Sequence, residues 1–298
     1  MSKLSINDKF KLNSGYEIPR LGFGVYQTPA DEVDKIVEEA FNAGYRHVDS
    51  ASVYRNEAGC GAAILRSSIP RSQIFFTSKV GPKHISYNAA KRIISESLEK
   101  TGLEYIDLML LHAPYGGSAN RKGAWLALVE AVEEGKIRSI GVSNYGVHHL
   151  DELEQHIKEL EAERGGGPGK GGVISVGQWE IHPWCPRKDI VEWCRKRNVV
   201  VEAYSPMVQG KRFGEPALKK LAEKYGKTEA QVLVRWSLQK GYVPLPKSVR
   251  AEKIKENAEV YDFELEEEDV KGLETEEYSP VCWDPTTSEL DNYTGQEV

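Results

Sequence analysis

The chain has 298 residues, 40% of them hydrophobic and 28% charged, a balance that lets it bury a full core and excludes a minimal scaffold. Its formal net charge of −6 gives no basic field for wrapping nucleic acid or docking on an anionic membrane, so any phosphate it binds must be met by local groups. No apolar run approaches the length of a membrane span, the opening residues lack a secretory hydrophobic region, and the four cysteines have no Cys-x-x-Cys spacing. The expectations are therefore a cytoplasmic protein without metal site, disulfide framework, membrane partner or nucleic-acid partner.

In chain order, Phe10-Lys-Leu and Tyr16-Glu-Ile-Pro19 flank Asn13-Ser-Gly15 and read as a short β-hairpin, too marginal to stand alone and suited to plugging the bottom of something larger. From Leu21 onward, short apolar runs alternate with amphipathic helical patterns. The strands are expected at Leu21–Gly24, His47–Asp49, Ile74–Lys79, Ile106–His112, Ile137–Ser143, Val176–Ile181, Val199–Tyr204 and Tyr242–Pro246. The helices between them fall near Asp31–Ala43, Glu57–Ser67, Tyr87–Thr101, Lys122–Glu134, Val147–Glu163, Lys188–Arg197 and Pro216–Lys240, the last broken at Gly226, with a final helix near Ala251–Ala258. Eight such alternations in this length point to a closed (β/α)8 TIM barrel. A doubly wound open sheet is the alternative, but no Gly-x-Gly-x-x-Gly follows any strand. We expect one domain over residues 1–298, with a barrel core of about 20–275 and a tail, 276–298, whose aromatics Trp283 and Tyr293 suit folding back over the pocket. The glycine-rich run 165–172 precedes a strand and is expected to be a flexible loop on the amino-terminal face.

Ligands bind at the carboxyl ends of parallel strands. There stand Asp49 after the second strand, Lys79 after the third and His112 after the fourth, with Tyr54 in the loop beyond Asp49. A phenol needs help to exchange protons near neutrality; a lysine beside it would stabilise the phenolate by one or two pKa units, an aspartate would hold that lysine, and a histidine would orient a carbonyl. Each residue has a structural reading taken singly: Asp49 a helix cap, Tyr54 a surface aromatic, Lys79 a solvated strand end, His112 a satisfied core histidine.

Gly44-x-Arg-x-Val-Asp49-x-Ala-x-x-Tyr54-x-Asn-Glu57, Leu110-Leu-His112-x-Pro114, Gly141-Val-Ser-Asn144 and Lys247-Ser-Val-x6-Glu256-Asn257, in this order, make the chain resemble the aldo-keto reductases over residues of about 10 to 275. The resemblance implies reduction of aldehydes or ketones, with Tyr54 as general acid supported by Asp49, Lys79 and His112. It also implies a nicotinamide dinucleotide, NADPH or else NADH, bound in extended form without a Rossmann domain. By motif, Ser143, Asn144 and Gln178 would hold the nicotinamide carboxamide and Tyr204 would stack on its ring. Ser205 through Gly210, including Met207, would close over the pyrophosphate, while Lys247, Ser248, Val249, Arg250, Lys253, Glu256 and Asn257 would grip the adenosine half.

Departures from the family pattern are Lys253 where arginine is usual, Gly177 where asparagine is usual, Tyr26 where tryptophan is common, and Ala113 after His112 where many relatives carry tryptophan. A lysine at 253 keeps the charge but loses the bidentate fork, for which Arg250 could compensate. The substrate pocket, assigned to Tyr26, Tyr115 and Trp283, is expected to be roomier than an all-tryptophan one. Reduction of a carbon–carbon double bond is disfavoured because that branch replaces the histidine with glutamate. The other function class the sequence leaves open is an NADPH-binding regulatory or docking protein on the same fold.

Overall fold

The computed structural model of the protein describes residues 4–291. β1 (Lys9–Lys11) and β2 (Glu17–Pro19) form the antiparallel hairpin, with Phe10 opposite Ile18 and Gly15 at φ 92° in the turn. Eight parallel strands follow in sequential order: β3 (Phe23–Gly24), β4 (His47–Asp49), β5 (Phe75–Val80), β6 (Ile106–Leu111), β7 (Ile137–Ser143), β8 (Val176–Glu180), β9 (Val200–Tyr204) and β10 (Val243–Leu245). Backbone hydrogen bonds from Gly22 N–H to the Pro244 carbonyl (3.0 Å) and from Gly24 N–H to the Pro246 carbonyl (3.1 Å) join the first and last of them, so the sheet closes. The seam is tight: a Cβ at Gly22 would lie 2.4 Å from Leu245 Cδ2 and 2.7 Å from His47 Nδ1. This is the expected (β/α)8 barrel.

The connecting helices are α1 (Val33–Asn42), α2 (Glu57–Arg66), α3 (Tyr87–Thr101), α4 (Ser118–Glu133), α5 (Val147–Glu163), α6 (Lys188–Lys196), α7 (Pro216–Tyr225), α8 (Glu229–Gln239) and α9 (Ala251–Ala258). The expected break at Gly226 is real: that residue takes φ 62° and ends α7, and α8 starts three residues on, behind a Thr228–Gln231 capping box. α4 begins four residues before the expected Lys122, because Gly116 and Gly117, both at positive φ, let the chain turn directly into it. α10 (Glu267–Leu273) was not expected; its acidic first turn, Glu267 to Asp269, suits a helix amino terminus, and Leu273 is its buried anchor.

Two apolar layers hold the barrel. The larger lies between strands and helices and includes the fully buried Trp125, Trp179 and Trp236. The smaller fills the barrel's lower interior with Phe75, Leu108, Leu110 and Val176, onto which the hairpin packs Leu12 and Ile18, the plug its sequence suggested. The glycine-rich segment lies before β8, with Gly165, Gly166, Gly167 and Gly169 all at positive φ in open space.

Candidate active site

Strand side chains alternate between faces, and Asp49, Lys79, Gln178 and Tyr204, singled out by sequence, share one parity with several polar neighbours that were not. His47 and Asp49 on β4, Thr77 and Lys79 on β5, Gln178 and Glu180 on β8, and Glu202 and Tyr204 on β9 stand at successive alternate positions. Phe75 and Val176 begin two of these inward series in the apolar floor, so the polar residues above them rise toward the carboxyl-end mouth. The opposite parity serves packing. Gly177 is an example: a Cβ there would sit 2.1 Å from Trp179 Cη2, so glycine is required because the indole folds over it and donates to the Tyr145 carbonyl at 2.8 Å.

Lys79 is fully buried, with Nζ 2.6 Å from Asp49 Oδ1 and 2.8 Å from the Ser50 carbonyl. The same ammonium stands 5.1 Å from the centre of the Tyr54 ring, and the His112 ring meets Tyr54 edge-on at 5.8 Å between centroids. Tyr54 ends a short 3-10 turn, Ser52–Tyr54, that is tied down on both sides. Ser52 Oγ donates to the Lys79 carbonyl at 2.8 Å, while Asn56 accepts from Ser50 Oγ and donates to the Val25 and Thr28 carbonyls. The four residues picked from sequence are thus brought together.

The electrostatics differ from the expectation in one respect. Burial, with the Asp49 charge adding to it, pushes the Tyr54 phenol well above the usual tyrosine range rather than below it. The physical reason is that Lys79 spends its charge on Asp49 at contact distance, leaving the desolvation of a phenolate uncompensated. Burial and the nearby Lys79 drive His112 well below its ordinary value, so its imidazole is neutral. At neutral pH the mouth therefore holds a protonated phenol, a neutral imidazole and an internally balanced ion pair.

Glu202 was not singled out by sequence. Its fully buried carboxyl accepts from Gln178 Nε2 at 2.9 Å, and that amide also donates to Asp49 Oδ2 at 2.8 Å. Burial and the Asp49 charge push Glu202 up to about 8, so it is protonated at neutrality; its other oxygen lies 3.4 Å from Nε2 of His47, which burial holds neutral. An acid midway along a strand buried on both faces was the available signal.

The mouth opens into a cavity of about 1000 Å³ that runs from Tyr54 and His112, past Asn144, Gln178 and Tyr204, to Lys247, Ser248, Arg250, Lys253, Glu256 and Asn257. Ser205 and Met207 line it too, from a loop in which Ser205, Val208 and Gln209 all take positive φ. Ser143 does not line it: buried behind, its hydroxyl donates to the Gln178 carbonyl at 2.9 Å. Val249 is also outside the lining, with its side chain turned to solvent. Asn144 accepts from Tyr204 OH at 2.8 Å and donates to the His112 carbonyl at 3.0 Å, which fixes both side chains beside the tetrad. An elongated dinucleotide fits this donor set. Lys247 is half-buried, and burial alone lowers its pKa; among the described residues it has no carboxylate partner, as suits a cation facing a phosphate. Lys253, by contrast, is engaged by Glu256 Oε2 at 2.6 Å, and Arg250 is exposed near Glu252.

On the substrate side, Tyr26 and Trp283 line the cavity, whereas Tyr115 reaches it through Trp283, whose indole N–H donates to the Tyr115 hydroxyl at 3.1 Å. The tail folds back so that Val281, Cys282 and Trp283 line the mouth, while Ser288 and Leu290 meet His148 of α5 and Arg121 of α4; Tyr293 lies outside the described residues. Trp283 meets the His112 ring at 6.3 Å and remains 46% exposed, a wall rather than a plug. Cys282 Sγ sits 3.2 Å from both Ser205 Oγ and Gln209 Nε2. The partners that hold the tail, Glu180 and Arg187, were also missed by sequence reading. No helix among the described residues is long and apolar enough to cross a membrane.

The barrel thus carries a buried lysine–aspartate pair, a tyrosine and a histidine at its mouth, with an elongated cavity beside them, an arrangement shared by a class of oxidoreductases. A family model described as "Aldo/keto reductase family" matches residues 20–275, and the chain belongs to that family. It is 38% identical to the glyoxal reductase of Bacillus subtilis, over 90% of this chain and 93% of that protein. An uncharacterized oxidoreductase of Schizosaccharomyces pombe is 40% identical over 94% of this chain and 98% of its own length. Among solved structures, an aldo-keto reductase from a deep-sea metagenome library superposes with a TM-score of 0.83 at 34% identity, covering 94% of this chain and 99% of that one.

Proposed function

We propose that this protein reduces small aldehydes or ketones to alcohols by hydride transfer from NADPH, with Tyr54 as the general acid. The observation that carries this reading is the convergence of Tyr54, His112 and the Asp49–Lys79 pair beside an elongated cavity, with a half-buried lysine at its far end that has no carboxylate partner among the described residues. Bound NADPH would supply the hydride. Asn144 and Gln178 are the groups we assign to the nicotinamide carboxamide, and Tyr204 to its ring, with Ser143 acting from behind through Gln178. Ser205, Met207, Lys247, Ser248, Arg250, Lys253, Glu256 and Asn257 are assigned to the rest of the dinucleotide, with Val249 beside them but outside the cavity lining.

For the reduction itself, Tyr54 is protonated at neutrality and gives its proton to the carbonyl oxygen as negative charge develops there. The phenolate left behind faces Lys79, whose ammonium is held in place by Asp49. Neutral His112 donates a hydrogen bond that orients the carbonyl. Trp283 walls this corner on one side. The cytosol is the compartment we propose, and the glyoxal reductase relative makes small dicarbonyls part of the substrate class to test. The test is a steady-state panel of aldehydes, ketones, sugars and dicarbonyls with NADPH and with NADH. Loss of NADPH absorbance on adding a reactive aldehyde is the expected result. A purified protein that binds NADPH but turns over none of the panel would support the regulatory alternative instead.

A further inference from the structure

Two buried charges that take no part in the proposed chemistry converge on the tail. Glu180, at the carboxyl end of β8 and fully buried, accepts the backbone N–H of Val281 at 2.6 Å and of Cys282 at 3.0 Å, with His182 Nε2 2.8 Å away. Burial alone would raise its pKa, but these hydrogen bonds outweigh that and hold the carboxyl below the usual range. Arg187, seven residues on, donates to the Glu180 carbonyl, to Tyr278 OH and to Thr286 Oγ1, and pairs with Asp284 at 3.1 Å. It is buried and held at φ 44°, a conformation an arginine adopts only when its surroundings fix it. Trp283, the residue between these two anchors, faces His112 and Tyr115.

We infer that Glu180 and Arg187 are specificity-determining positioning residues: they pin Val281, Cys282 and Asp284 to the barrel and so set how far Trp283 stands over His112. This rests on the reading of the site as a carbonyl reductase. Other tail contacts made by exposed side chains, such as Arg212 to Glu277 and Lys211 to the Val281 carbonyl, are solvated and weaker. Removing a partner of a buried carboxylate leaves its hydrogen-bonding groups unsatisfied, so the strap should lift rather than merely loosen.

The experiment compares propanal with biphenyl carbaldehyde in wild type, Glu180→Gln, Arg187→Met, Trp283→Ala and the Glu180→Gln/Trp283→Ala double variant. Glu180→Gln and Arg187→Met should each shift the bulky-to-small ratio of kcat/KM by about fivefold or more toward the bulky aldehyde, chiefly through KM. Because the anchors act through Trp283, the double variant should match Trp283→Ala within about threefold. A purely structural contribution would instead add to the Trp283 effect, and additivity or an unchanged ratio overturns the inference. A second readout does not need activity. Cys282 is the cysteine that is not buried, and its reaction with a disulfide reagent should accelerate at least about fivefold in Glu180→Gln. If wild type reduces neither aldehyde, the functional reading fails, and an unaccelerated thiol overturns the latch separately. If Arg187→Met does not fold, Arg187→Lys, which keeps the charge but loses the forked contacts, carries the same prediction.

Discussion

Lys79 Nζ lies 2.6 Å from Asp49 Oδ1, and neither residue is open to solvent to any useful extent. A buried pair of this kind is neutral as a unit, so it leaves the phenol of Tyr54 protonated and ready to donate, while the ammonium, already held by Asp49 and the Ser50 carbonyl, stands close enough to the ring to face a phenolate when one forms. Tyr54→Phe should therefore abolish turnover while leaving NADPH affinity within about threefold, since general acid catalysis contributes about 10²–10⁴-fold. Retention of more than a tenth or so of wild-type turnover would move the proton donor elsewhere. Lys79→Met should be worse for folding than Tyr54→Phe, because it strands the Asp49 carboxylate without its cation.

Glu202 makes stability fall with pH in a defined window. Its folded pKa, about 8, stands above the ordinary glutamate value of 4.5, so between those limits the folded state holds a proton that the unfolded state has released. The contribution is complete below pH 4.5 and is lost as pH rises toward 8, with a limiting slope of about 1.4 kcal/mol per pH unit. Glu202→Gln keeps an acceptor for Gln178 and cannot ionise. Urea unfolding across that window should show the variant gaining on wild type as pH rises; parallel curves would mean that Glu202 is not protonated in the native protein.

Deleting Val281–Val298 removes the wall formed by Trp283 along with the strap that carries it. Selectivity between bulky and small carbonyls should change by about tenfold, more than NADPH affinity changes. Identical selectivity in the truncated protein would leave Trp283 with no part in substrate choice.

The barrel and the tetrad were legible because both are written in local periodicity. Alternation along β4, β5 and β8 puts Asp49, Lys79 and Gln178 on the inward face, and a loop five residues long brings Tyr54 back over it. Glu180 and Arg187 were not legible, because their partners, Val281 to Thr286, lie about a hundred residues away and no pattern in either segment names the other. The sign of the Tyr54 shift is not legible in the sequence for a related reason. Proximity of a lysine was apparent from the strand ends, whereas the competition between Asp49 and Tyr54 for its charge, and the depth of burial, are properties of packing. Gly177 had no explanation until Trp179 was seen lying across it.

Cofactor choice turns on how three cations near β10 and the start of α9 are committed. Lys253 is bound to Glu256 at 2.6 Å, and the same carboxylate accepts from Thr228 Oγ1, so engaging a 2′-phosphate would require Lys253 to leave an existing partner. Arg250 is exposed and screened. Lys247 is half-buried with burial alone acting on it, and a phosphate would relieve that cost directly. Charge-assisted hydrogen bonds contribute about 1.5–3 kcal/mol, so Lys247→Ala should raise the KM for NADPH about tenfold or more. Lys253→Ala, which also frees Glu256 to repel the phosphate, should cost less, and Lys253→Arg should preserve or sharpen the preference for NADPH over NADH. Glu256→Gln releases Lys253 and should tighten NADPH binding, most visibly at low salt. Paired kcat/KM values for NADPH and NADH across these variants decide the matter. If wild type uses NADH as well as or better than NADPH, or if Lys247→Ala affects both cofactors equally, these cations do not form a 2′-phosphate clamp and Lys253 marks a loss of phosphate specificity.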